Sequence, residues 1–61
     1  MPNLTSKELT ALEDTLGSEQ NLVKKYQAMA SMCTNPAIRQ NLEDAARKHQ
    51  EHANSLSAFL Q

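Results

Sequence analysis

Sixty-one residues carrying six basic and seven acidic side chains, with a formal charge of −1, allow one small domain. They leave no electrostatic case for nucleic acid or an anionic membrane surface as a partner. The single cysteine, Cys33, excludes an internal disulfide framework and fits a reducing compartment. With one tyrosine, one phenylalanine and no tryptophan, any core is aliphatic, and a core this small relies on association or on a metal.

Met1-Pro2-Asn3 leads directly into polar residues, so no signal peptide is expected. No apolar run approaches membrane-spanning length, and the reading is synthesis in the cytoplasm with no membrane partner. Thr5-Ser6-Lys7-Glu8 then opens a first helix as a capping box, with Thr5 as N-cap and Glu8 as the reciprocal carboxylate. Leu4, just before the cap, is placed to staple onto Leu9. Leu9, Leu12, Leu16, Glu19, Val23, Tyr26 and Ala30 follow at steps of three and four, which is a seam on a helix spanning about residues 5–33. Leu22 and Met29 widen that seam on one side. Gly17, in mid-helix, is unfavourable by about 1 kcal/mol relative to alanine. It predicts either a close helix approach, with Ala53 at its level, or a kink.

Thr34-Asn35-Pro36 must break the helix. Proline disfavours helical conformation in the residue before it and suits the first position of a new helix, for which Asn35 or Thr34 serves as N-cap. The turn at 34–35 is short enough to dictate an antiparallel hairpin. The second helix, about residues 36–60, carries a heptad seam at Ile38, Leu42, Ala45, His49, His52, Leu56 and Phe59. Ala46, Ala53 and Leu60 widen it. Arg47 stands four residues from Glu43 and Glu51, and Lys48 four from Asp44, as expected for ion pairs on a solvated face.

Folding the hairpin at its turn sets Tyr26 level with Leu42, Val23 with Ala45 and Ala46, Glu19 with His49, Leu16 with His52, and Leu9 with Phe59 and Leu60. The one carboxylate of the first seam therefore meets the first imidazole of the second. Two readings follow for Glu19, His49 and His52. The preferred one is a structural polar layer that fixes register, because a buried imidazole without a hydrogen bond is unfavourable by about 1–3 kcal/mol. The other is a metal site for zinc, iron or manganese, built from a carboxylate and imidazoles on facing helices. Tyr26 reads as a core residue with its hydroxyl at the edge, and Met29 and Met32 as core filler. Cys33 has no base beside it, so no nucleophilic chemistry and no enzyme are expected.

Both seams are wider than one partner helix covers, leaving Leu22, Met29, Ala46 and Leu60 partly exposed in a single hairpin. The fold expected is therefore all-α, one domain of residues 1–61, an antiparallel helical hairpin that dimerises into a ferritin-like four-helix bundle. Half of a ferritin-like bundle has a similar arrangement, with Glu on one helix and Glu-x-x-His on the next. Here the latter stretch is Ala46-Arg47-Lys48-His49, so the bridging carboxylate is absent and a di-iron oxidase centre is not expected.

A resemblance covers most of the chain. Leu4-Thr5-Ser6-Lys7-Glu8-Leu9, Glu19-Gln20-Asn21-Leu22-Val23-Lys24-Lys25-Tyr26, Thr34-Asn35-Pro36-Ala37-Ile38-Arg39-Gln40 and Lys48-His49-Gln50-Glu51-His52 resemble the Coat F family of spore coat proteins. The shared order is an acidic residue before Lys-Tyr, an Asn-Pro turn followed by Arg, and a histidine cluster on the second helix. The resemblance implies a ferritin-related helical fold, a structural or assembly role in the spore coat of endospore-forming bacteria, and other coat proteins as partners beside the second copy that the wide seams call for. The rival function is a small metal-binding or redox bundle using Glu19 and His49.

Overall fold

A computed structural model describes residues 3–60; Met1, Pro2 and Gln61, and with them the start of the expected leaderless amino terminus, lie outside the described residues. Helix α1 runs Ser6–Met32, helix α2 runs Pro36–Ser57, and a 3₁₀ turn follows at Ala58–Leu60. The α-helical geometry of the second element thus ends three residues before the expected limit.

Each helix begins where its capping chemistry puts it. The Thr5 side-chain oxygen accepts from the Glu8 backbone N–H at 3.1 Å, and the Thr5 backbone N–H donates to Glu8 Oε1 at 2.9 Å. Two of the amino-terminal donors that a helix leaves unpaired are thereby satisfied. Between the helices the chain is extended at Cys33 and Asn35. Asn35, rather than Thr34, is the N-cap of α2: its Oδ1 accepts from Ala37 N–H at 3.0 Å and Ile38 N–H at 3.1 Å, with Pro36 opening the helix. Three residues between two long helices leave only a hairpin, and α1 packs against α2 along it.

The molecule measures 46 × 16 × 12 Å, two helices wide and one helix thick. Its buried side chains are Val23 and Ala30 from α1, and Ala46 and Ala53 from α2. Both pairs are seven residues apart, so the contact follows a heptad repeat. Ala46, expected at an exposed flank, is instead in the core, and the centre of the α2 face lies on the alanine row beside the predicted seam. The physical reason is size. Alanine lets two helix backbones approach closely, whereas imidazoles and larger apolar groups are displaced to the margins of so thin a contact.

No leucine, isoleucine, methionine or phenylalanine among the described residues is buried. Leu4, Leu9, Met29, Ile38, Phe59 and Leu60 are exposed, and Met32 is 76% exposed, so it does not fill the core. Gly17 does not mark the expected close approach of a helix. A Cβ built there would meet nothing within 4 Å, so no helix of the hairpin needs the space, and α1 continues through it without interruption. On the outer face Arg47 pairs with Asp44 at 3.0 Å, one turn away, in place of the expected Glu43, Glu51 and Lys48 pairings. Gln40 and Gln50 donate across one turn to Asp44 and Asn54, both at 2.9 Å.

Candidate functional site

Glu19 projects from the middle of α1, and His49 and His52 from one turn of α2. His49 Nδ1 lies 3.1 Å from Glu19 Oε2 and 3.3 Å from Oε1, and His52 Nδ1 lies 2.9 Å from the same Oε2. An ionised carboxylate only accepts, so both imidazoles carry a proton on Nδ1 and donate. One carboxylate therefore serves two rings.

The Glu19–His49 meeting follows the predicted register, and His52, expected beside Leu16, also reaches Glu19. Helical side chains lean toward the amino terminus of their own helix. In an antiparallel pair the leans are opposed. Glu19 leans away from the hairpin turn while His52 leans toward it, and the two meet between their backbone levels. The same lean carries Tyr26 past Leu42. Its ring stacks on His49, centroids 5.6 Å apart and planes within 7° of parallel. His52 stands edge-on to His49, at 5.7 Å and 86°. Tyr26 is the neighbour that equal-distance pairing missed; its position seven residues from Glu19, on the same helix face, is the signal that marks it.

Burial grades across the cluster. The Glu19 side chain is 15% exposed, His49 25% and His52 62%. The hydrogen bond from His49 holds the Glu19 carboxyl below its ordinary value, against the opposing effect of burial and with the help of His52. An anion is thus maintained between the helices. One side of the cluster opens on a groove of about 320 Å³ lined by Thr15, Glu19, His52, Ser55 and Leu56. Thr15 and Leu56 also line an apolar groove with Leu4, Leu12 and Phe59, so the two grooves are continuous toward the end of the hairpin opposite the turn.

One ligand atom from each of Glu19, His49 and His52 lies within 4.8 Å of the others, so that a small side-chain movement brings all three to one ion. Ala46, at the place of the carboxylate in Glu-x-x-His, is buried in the helix contact. Cys33 is half-buried at the turn, its Sγ 3.7 Å from the Asn35 carbonyl, and belongs to no such group.

The model of the Coat F domain family matches residues 8–61. The chain belongs to the Coat F domain family. That match covers both helices and the histidine cluster, and a Coat F domain marks a spore coat protein. No curated protein and no solved structure matches the chain. Among the described residues of this Coat F domain, no helix is long and apolar enough to cross a membrane.

Proposed function

We propose that this Coat F domain is a structural building block of the spore coat that acts as a homodimer, two hairpins pairing into a four-helix bundle of ferritin-like architecture. The observation that carries the reading is the core itself: one valine and three alanines are buried, while the leucines are at best half-buried and Leu4, Leu9, Met29, Ile38, Phe59 and Leu60 are exposed along the hairpin. A domain of this size needs either a fuller core or association. The continuous groove through Leu4, Leu12, Leu56 and Phe59 is open where a second copy, bearing the same exposed strip, offers matching apolar surface. Burial of a larger interface is what a stable coat subunit gains.

Light scattering of the full chain at micromolar concentration tests this. A mass twice the 6.8 kDa of one chain is expected, and Leu56→Asp in the groove returns it toward one chain. A monomeric, fully helical wild type at that concentration overturns the proposal.

A further inference from the structure

We infer that Glu19, His49 and His52 form a binding site for one divalent cation of the zinc class. All three ligands come from one hairpin, so the inference does not rest on dimerisation. A polar layer accounts for Glu19 and His49, which are largely buried and need partners. It does not account for His52, whose side chain is 62% exposed within the hairpin and is satisfied by water alone. Yet His52 converges on the same carboxylate oxygen as His49, at 2.9 Å against 3.1 Å. Convergence of an exposed imidazole is what chelation requires and what burial does not.

The geometry suits the ion. Zinc binds imidazole nitrogen and carboxylate oxygen at about 2.0–2.2 Å, so neighbouring ligand atoms of a tetrahedral site stand about 3.3 Å apart. The two short nitrogen–oxygen distances here need open by only a few tenths of an ångström, and rotation of the exposed His52 side chain closes the remaining separation within the trio, which spans at most 4.8 Å. On binding, the cation replaces the two Nδ1 protons; each neutral ring shifts its proton to Nε2 and keeps its charge unchanged, while the carboxylate supplies the negative charge. Two imidazoles and one carboxylate leave a fourth position, and the groove beside Thr15 and Ser55 gives it to water and admits the ion. Tyr26, stacked on His49, restrains that ring in the ligating orientation. Calcium and magnesium are disfavoured, because they require several oxygen donors where this cluster offers one carboxylate.

The test is calorimetric titration of zinc chloride into the untagged full chain after chelator treatment, with Glu19→Gln, His52→Ala and Cys33→Ser alongside. The wild type and Cys33→Ser are expected to bind one zinc per chain with a dissociation constant of about 1 μM or below. The thermal midpoint should rise on addition and fall again with chelator. His52→Ala and Glu19→Gln are each expected to weaken binding by more than about 100-fold, the loss of a ligand exceeding that of an outer partner. Because His52 is exposed, His52→Ala keeps the wild-type helical circular dichroism, which separates a lost ligand from a lost fold. Cys33, fourteen positions from Glu19 along the chain, lies about 20 Å away along α1 and serves as the control. Absence of binding up to about 1 mM zinc, unaltered affinity in His52→Ala or Glu19→Gln, or loss of binding in Cys33→Ser would overturn the inference.

Discussion

Glu19 holds two imidazoles with one carboxylate, and the consequence is an asymmetry between single and paired substitution. Glu19→Ala leaves His49, three-quarters covered, without its acceptor. Glu19→Leu combined with His49→Leu removes both polar groups and fills the seam. In metal-free protein the single substitution should lower the thermal midpoint more than the double one; the reverse order in a thermal scan contradicts the layer described above. The carboxyls of Glu8 and Glu19 also make stability depend on acid. The backbone and side chain of Thr5 hold Glu8 below its ordinary 4.5, and His49 does the same chiefly by hydrogen bonding for Glu19. A carboxyl depressed in the folded state contributes stability that is complete above its ordinary value and is lost as pH falls through its folded value. The midpoint should therefore drop below about pH 4.5, and less steeply in Glu8→Gln. A drop of equal steepness in that variant removes Glu8 from the explanation.

At the scale of the helix, α1 is long and well capped at its start, and Gly17 is its residue of lowest helix propensity. Because a Cβ there meets nothing within 4 Å, Gly17→Ala adds helix propensity without a clash. It should stabilise by about 1 kcal/mol, read as a higher midpoint in urea or heat. A destabilised Gly17→Ala would show that another chain approaches α1 at this point, which the hairpin alone does not require. Helix α2 is the more amphipathic partner in its placement of residues. Its alanine row at 46 and 53 faces α1, and His52 and Leu56 lie beside it on the flank that opens into the grooves.

The whole molecule is a slab 12 Å thin in one direction, and its stability is tied to what covers its flank. If the dimer is the folded unit, the thermal midpoint rises with protein concentration, since association favours the folded chain by mass action. A midpoint unchanged over a hundredfold dilution contradicts the dimer even where scattering is ambiguous. The zinc site lies within each hairpin, so calorimetric stoichiometry and solution mass report on the two proposals separately.

Local chemistry made the elements legible from sequence. The capping box at Thr5 and Glu8, the Asn35-Pro36 start and the three-and-four spacing act within one or two turns, so they are written in adjacent residues. The short turn also made the hairpin and the Glu19–His49 meeting legible, because equal counts from a tight reversal bring equal levels together. Tertiary packing decided the rest. Which of two adjacent rows on α2 faces α1 depends on how closely the backbones approach, and the row of Ala46 and Ala53, small at both positions, took that place over the row of Ala45 and His52, which carries an imidazole. The opposed lean of side chains on antiparallel helices brought His52 to Glu19 and Tyr26 to His49. That displacement has no trace in residue counting, because it arises only when two helices with opposite directions are laid side by side.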